Sequence, residues 1–189
     1  MSMNNLLPSF CCAGLLSIHA IASRTHFVSP EGIQARMRLI AALFLVFAVK
    51  TIWVLAVSPI SAVRAIIGLT LYGAAGWLFF AALRANCGRH LSVAFSGDQP
   101  EHLVTWGPYR HIRHPFYASY CLTWLASAVA AQSIILLGIF ACMTGCYWWA
   151  ARFEEEKFSR SELAPAYARY RANTGMFLPF WKRPGPFAH

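Results

Sequence analysis

Long apolar stretches separated by short polar segments dominate this chain, and their lengths predict membrane-spanning helices. A helix that spans a bilayer needs about 20 mostly apolar residues. The 35 residues from 117 to 151 contain no charged residue, which is too long for one span and predicts a helical hairpin that turns near Gln132 and Ser133. Together with three earlier stretches this predicts five spans, at about residues 6–23, 37–58, 60–83, 117–131 and 133–151.

The composition agrees with this pattern and excludes most soluble classes of protein. Hydrophobic residues make up 58% of the chain and charged residues 12%, against about 45–50% and 25% in average soluble proteins. Backbone groups in lipid must be paired within the segment, and no alternating strand pattern is present, so helices are expected. We predict a single all-α integral membrane domain over residues 1–189. If the first stretch only lies on the membrane surface, four spans remain.

The charge distribution predicts the orientation of the spans. The net charge is +9, and 14 of the 16 basic residues lie on one side of the predicted layout. Because cytoplasmic loops carry an excess of Lys and Arg, this side is cytoplasmic and includes the C-terminal segment 152–189. The basic residues are spread over three segments as topology requires, so we predict contact with membrane lipids and no nucleic-acid partner. The expected location is an inner membrane of the bacterial type.

The loop before the fourth span, residues 84–116, is long and rich in His, Arg and Tyr. Loops of this length are usually functional or disordered. Pro115 suits the first turn of the following helix, which places Arg113 and His114 at its N-terminus. Such a terminus attracts an anion such as a carboxylate. The alternative is that both side chains only anchor the helix to lipid headgroups.

A second polar segment begins directly after the last apolar stretch. Three of the chain's seven acidic residues, 154–156, are consecutive there, and Tyr167 and Tyr170 follow with a spacing that places them on one helical face. The glutamates are either a solvated helix start, or one of them turns inward to bind a ligand hydroxyl. The spacing of the His and Cys residues predicts no metal site.

In these two segments the chain resembles the isoprenylcysteine carboxyl methyltransferase and phospholipid methyltransferase superfamily of integral membrane enzymes. The resemblance covers roughly residues 60–181. Two groups of motifs carry it. The first comprises Leu103-Val104-Thr105, Gly107-Pro108-Tyr109 and Arg113-His114-Pro115-Phe116-Tyr117. The second comprises Glu155-Glu156, Tyr167-Ala168-Arg169-Tyr170 and Leu178-Pro179.

The resemblance implies that S-adenosylmethionine binds at the cytoplasmic face, in a pocket built from the loop before helix 4 and the C-terminal segment. The implied cofactor-binding residues are Leu103, Val104, Tyr109, Arg113, His114, Pro115, Tyr117 and Glu155. The assignment of the glutamate stays open among residues 154–156. Carboxyl methyltransferases place an arginine aimed at the acceptor where this chain has Ala151, and the neighbouring Arg152 is the candidate for that role. For an amine or phenol acceptor, His111 or His114 would serve as the base.

We therefore predict methyl transfer from S-adenosylmethionine to a lipophilic acceptor that enters from the bilayer. A carboxylate, such as that of an isoprenylcysteine-like substrate, is favoured because it is ionised at neutral pH and needs no base. Two alternatives remain. One is an NADPH-dependent reductase that resembles membrane sterol and isoprenoid reductases, and the other is a membrane scaffold without enzymatic activity.

Overall fold

The structure, a computed structural model, describes residues 3–25, 27–28, 35–86, 91–92 and 102–179. This part of the chain is almost entirely helical. Its α-helices are α1 Met3–Thr25, α2 Ala35–Val57, α3 Ala62–Ala85, α4 Pro115–Ala131, α5 Ile134–Ser159 and α6 Ala164–Asn173.

The remaining regular structure is short. Two strands of two residues each, β1 (Phe27–Val28) and β2 (Leu91–Ser92), pair in parallel. A 3₁₀ turn, Gly107–Arg110, leads towards α4. The predicted all-α class is confirmed. Residues 87–90 and 93–101 of the predicted loop, and residues 180–189 of the C-terminal segment, lie outside the described residues.

The helices have lengths and surfaces suited to a bilayer. Within the described chain, four helices (α1, α2, α3 and α5) are long and apolar enough to cross a membrane. Helix α4 has 17 residues and is about 25 Å long at 1.5 Å per residue, near the lower limit for a span. The count of five spans therefore stays a prediction. Large apolar side chains such as Val49, Trp77 and Ile134 are exposed on the outside of the bundle, as expected for surfaces that face lipid.

Helices α4 and α5 form the predicted hairpin. Gln132 ends α4 in the left-handed region with φ 50°. Ser133 caps α5, and its hydroxyl accepts a hydrogen bond from the backbone N–H of Leu136 at 3.4 Å. A serine at this position satisfies one of the unpaired donors of the first helical turn. The predicted turn near residues 132 and 133 is confirmed.

Small residues bring α3 and α4 close together. A Cβ atom built on Gly68 would lie 2.8 Å from Ala130 Cβ and 3.5 Å from the backbone oxygen of Ala126. Such contacts allow helix backbones to approach in membranes, where packing drives association. Further along the same two helices, Phe79 on α3 and Trp124 on α4 are almost fully buried. This packing fixes α4, whose N-terminus carries the candidate site.

Helix α5 continues beyond the predicted end of the last span at residue 151. Its apolar part, 134–151, accounts for about 27 Å at 1.5 Å per residue, close to the roughly 30 Å hydrocarbon thickness of a bilayer. The charged end, Arg152–Ser159, adds two more turns. The glutamates 154–156 therefore lie in the last turns of a long helix rather than at a solvated helix start.

Candidate functional site

The two polar segments singled out in the sequence meet at the N-terminus of α4. The backbone N–H groups of Arg113 and His114 donate hydrogen bonds to the carbonyls of Gly175 and Met176, at 2.8 and 3.1 Å. In return, the N–H of Gly175 donates to the carbonyl of His111 at 3.2 Å. The segment after α6 is thus paired along the entrance to α4.

The helical phase of α5 distinguishes the three consecutive glutamates. Tyr147, Ala151 and Glu155 follow one another at four-residue intervals and are all buried, so Glu155 continues a stripe that faces the core. Glu156 points outward, with its side chain 52% exposed, and pairs with Arg160 at 2.5 Å. Charged side chains are rarely buried unless they are paired, so the buried Glu155 is expected to have partners that compensate its charge.

Glu155 is bound through one of its two carboxylate oxygens. Arg113 Nε donates to Oε1 at 2.8 Å, and His114 Nε2 lies 3.3 Å from the same atom. The Arg113 and Glu155 side chains are 10% and 3% exposed. Oε2 lies 3.7 Å from Arg171 Nε and has no hydrogen-bond donor among the described residues. One buried oxygen is therefore held by two donors, and the other has no hydrogen bond of ordinary geometry within this part of the chain. The Tyr167 hydroxyl, also buried without a hydrogen-bond partner among the described residues, is close enough to Glu155 that burial and the carboxylate together raise the pKa of Tyr167.

These contacts keep Glu155 ionised. Burial alone would raise the pKa of its carboxyl group, because a low-dielectric environment disfavours charge. Hydrogen bonds from His114 and Arg113, together with their positive charges, outweigh burial and lower the pKa of Glu155 to about 2. At neutral pH the site therefore contains a fixed carboxylate on α5.

His114 lies between two carboxylates. In addition to its contact with Glu155, its Nδ1 lies 3.3 Å from Glu154 Oε2. Burial alone would lower the pKa of His114, but hydrogen bonding to Glu154 and Glu155 and their negative charges raise it above its ordinary value near 6.5. With a carboxylate at each ring nitrogen, the protonated imidazolium is favoured.

An aromatic column extends from this polar cluster into the bundle. The Tyr117 ring is stacked between His114, at 5.7 Å between centroids, and Tyr147, at 5.6 Å. Its hydroxyl donates to Glu154 Oε1 at 2.7 Å. Further in, Trp124 Nε1 donates to the Tyr147 hydroxyl at 3.2 Å. The column connects the charged cluster with the apolar core.

Tyr109 lies within the 3₁₀ turn, and its side chain is buried. Gly107 is the first residue of this turn and has φ 59°, a backbone conformation that residues other than glycine rarely adopt. Asn86 at the end of α3 donates to the Tyr109 hydroxyl at 2.8 Å, and the Tyr170 hydroxyl donates to the Tyr109 carbonyl at 2.7 Å. Burial raises the pKa of Tyr109. Its phenol thus stays protonated and binds the end of α3, while its backbone carbonyl binds α6.

The other residues predicted for the site occupy its edges. Pro115 is the first residue of α4 and is buried, which confirms the predicted helix start. Leu103 and Val104 are half-buried on the approach to the 3₁₀ turn. The His111 side chain is exposed, and among the described residues His111 joins the cluster through its backbone carbonyl. Arg152 is exposed on α5, and its guanidinium carbon lies 5.8 Å from the centre of the Trp148 ring. The functional roles of all these residues stay predictions.

A cleft of about 400 Å³ borders the charged cluster. On the α5 side it is lined by Trp149, Arg152, Phe153 and Glu155, and on the α6 side by Arg171. Pockets of this size are typical of small-molecule sites. The cleft combines aromatic surface with guanidinium and carboxylate groups, so it suits an amphiphilic or charged ligand.

Several members of the cluster were not predicted from the sequence. Arg113 Nη1 donates to the backbone carbonyls of Arg171, at 3.3 Å, and of Thr174. Every residue has a backbone carbonyl, so the sequence does not indicate which carbonyls accept these hydrogen bonds. Tyr147 lies inside an apolar stretch and resembles any other core aromatic. The spacing of Tyr167 and Tyr170 was the one signal that pointed to α6.

The comparison with known families agrees with this geometry. The sequence model of the family described as phospholipid methyltransferase matches residues 63–164, which include the N-terminus of α4 and the charged end of α5. No match was found among curated proteins or among solved structures. The family match and the four apolar helices identify an integral membrane protein. Because the match extends over more than half of the chain, the protein belongs to the phospholipid methyltransferase family, within the isoprenylcysteine carboxyl methyltransferase-like superfamily of membrane methyltransferases.

Proposed function

We propose that the protein transfers a methyl group from S-adenosylmethionine to the carboxylate of a lipophilic acceptor. Family membership establishes a membrane methyltransferase, and the charges of the site support the choice of cofactor and acceptor. When bound, S-adenosylmethionine supplies an electrophilic methyl group on its sulfonium, so the protein contributes mainly binding and orientation.

The observation that carries the proposal is the second oxygen of Glu155. Oε2 is buried, has no hydrogen-bond donor among the described residues, and belongs to a residue that lines the cleft. Buried acceptors are rarely left without donors in native proteins. The ribose hydroxyls and the ammonium group of S-adenosylmethionine are donors of the required kind. Arg113 and His114 hold the other oxygen of Glu155, which orients the carboxylate before a ligand binds.

The charge state of the cluster favours a carboxylate acceptor. An ammonium or phenol acceptor must lose a proton, but hydrogen bonding to Glu154 and Glu155 raises the pKa of His114 and so disfavours the neutral imidazole that a base requires. A carboxylate acceptor is ionised at neutral pH and requires no base. Arg152 lines the cleft and has no acidic partner among the described residues. We propose that it binds the acceptor through charge-assisted hydrogen bonds.

The position of the cleft supports a route for the acceptor tail. Trp148 and Trp149 are exposed where the apolar part of α5 ends, a location typical of the membrane–water interface. We propose that the tail enters from the bilayer along this surface and that the cofactor enters from the cytoplasm, in an inner membrane of the bacterial type. Holding both reactants in line contributes roughly 7–11 kcal/mol to catalysis in well-oriented systems.

The proposal is tested with the full-length protein in phosphatidylcholine nanodiscs, using S-adenosylmethionine with a tritiated methyl group. A farnesyl thioether carboxylate and phosphatidylethanolamine are offered as separate acceptors. We expect label in the carboxylate product, released as methanol by alkali, and strong loss of transfer in Arg152→Gln with retention in Arg169→Gln. Alkali-stable label in phosphatidylethanolamine instead would refute the acceptor class. Binding of NADPH instead of S-adenosylmethionine would favour a reductase.

A further inference from the structure

Glu154 occupies a bridging position that differs from those of both neighbouring glutamates. Its Oε1 accepts a hydrogen bond from the Tyr117 hydroxyl at 2.7 Å, and its Oε2 lies 3.3 Å from His114 Nδ1. Its side chain is 22% exposed, compared with 3% for Glu155 and 52% for Glu156. Glu154 thus connects two residues at the start of α4, His114 and Tyr117. It lies outside the buried stripe that Glu155 continues on α5.

We propose that Glu154 is a positioning residue, which acts on the cofactor site through His114 and Tyr117 and does not contact the cofactor. Both of its carboxylate oxygens are already engaged, whereas Glu155 retains an oxygen without a hydrogen-bond donor. Glu155 and Glu156 line the cleft, and Glu154 does not. Its effect on cofactor affinity rests on the proposed function, but its effect on His114 does not.

The charges around His114 give the mechanism. The titratable and charged groups that face the imidazole are Arg113 beside it, Tyr117 on α4, and Glu154 and Glu155 on α5. Glu155 also binds Arg113, so Glu154 is the carboxylate that His114 does not share with that guanidinium. Without Glu154, the imidazolium retains only Glu155, which it shares with Arg113. His114 therefore loses its proton at lower pH.

Tyr117 provides the second connection. Its ring is stacked between His114 and Tyr147, and the bond from its hydroxyl to Glu154 fixes the ring at the end of the aromatic column. A buried hydroxyl that loses its acceptor must rotate or remain unpaired, at a free-energy cost. Glu154 therefore positions the face of the Tyr117 ring that is stacked against His114.

The test compares Glu154→Gln with Glu162→Gln, which removes the same charge from an exposed position in the turn between α5 and α6, outside the cleft. In nanodiscs, the titration midpoint of His114 is followed by NMR of labelled histidine, with the signal assigned from His114→Asn. Binding of S-adenosylhomocysteine is followed by calorimetry between pH 5.5 and 8.5. In Glu154→Gln we expect the midpoint to fall by about one pH unit, with binding at pH 7.5 weakened by up to about tenfold and recovering at pH 5.5. Glu162→Gln leaves both values unchanged.

A third variant separates the two connections. Tyr117→Phe removes the phenol donor but keeps the stacked ring, and we expect it to leave the His114 midpoint within a few tenths of a pH unit. The proposal is overturned if Glu154→Gln weakens binding equally at every pH with the midpoint unchanged, since Glu154 would then contact the cofactor. It is also overturned if Glu154→Gln behaves like Glu162→Gln. If the wild-type protein binds no S-adenosylhomocysteine, the proposed function fails, while the midpoint still tests the link between Glu154 and His114.

Discussion

Replacing Arg113 by glutamine removes the guanidinium that binds Glu155, and the burial of this pair determines the size of the effect. The two side chains are 10% and 3% exposed, so solvent screens the interaction little. Removing one partner of a buried ion pair costs about 3–5 kcal/mol, because the other charge stays buried without compensation. His114 and Arg171 remain within 3.3 and 3.7 Å of the Glu155 carboxylate, so we expect the lower end, about 3 kcal/mol.

Thermal unfolding in nanodiscs, followed by intrinsic fluorescence, measures this loss. For a protein of this length, about 3 kcal/mol corresponds to a Tm lower by roughly 6–12 °C. Arg110→Gln is the matched control, because Arg110 is an exposed arginine in the preceding 3₁₀ turn. The double variant Arg113→Gln/Glu155→Gln removes both charges of the pair, so its loss should be smaller than the sum of the two single losses.

Two results would refute this reasoning. A Tm decrease in Arg113→Gln no larger than that of Arg110→Gln would show that the buried pair does not stabilise the fold. Additive losses in the double variant would show that Arg113 and Glu155 act independently, although their atoms are 2.8 Å apart.

Two further predictions concern helix packing and pH. Gly68→Ala should cost about 1–3 kcal/mol of stability, because the added methyl group would lie 2.8 Å from Ala130 Cβ. The control is Gly73→Ala, which adds a methyl group in open space and should leave the Tm unchanged. Equal Tm values for the two variants would contradict this prediction. The raised pKa of His114 contributes stability that is complete below about pH 6.5 and is lost as the pH rises through the folded-state value. The lowered pKa of Glu155 contributes stability that is present above about pH 4.3 and is lost as the pH falls towards about 2. The Tm should therefore decrease on both sides of neutral pH, and His114→Asn should remove the alkaline decrease, whereas an unchanged alkaline decrease would argue against this origin.

The sequence was most informative where local chemistry determines structure. The uncharged stretch 117–151 contains a single amide side chain, Gln132, followed by Ser133, and the hairpin turns at these two residues. Pro115 begins a helix because its ring fits the first turn and no backbone donor is lost there. The motifs around residues 103–117 and 155–179 predicted that two distant segments act together, and the structure places them in contact.

The choice among the three glutamates depended on information that is not local. A last span that ends at residue 151 leaves Glu155 outside the helix. The four-residue spacing of Tyr147, Ala151 and Glu155, which places them in one buried stripe, then cannot be recognised. Once α5 is continued to Ser159, that spacing turns Glu155 inward and Glu156 outward. The carbonyls that bind Arg113 belong to residues whose side chains do not identify them, so only tertiary structure could place them.

Titration of S-adenosylhomocysteine into the protein in nanodiscs by calorimetry tests the central claim most directly, because the claim is that Glu155 binds the cofactor. Losing a hydrogen bond to a charged group costs about 1.5–3 kcal/mol, or roughly 10–100-fold in Kd. We predict saturable binding to the wild-type protein, binding at least about tenfold weaker in Glu155→Gln, and unchanged binding in Glu162→Gln, a substitution at an exposed glutamate outside the cleft. Absence of binding to the wild-type protein, or equal affinity of Glu155→Gln and the wild type, would contradict the account.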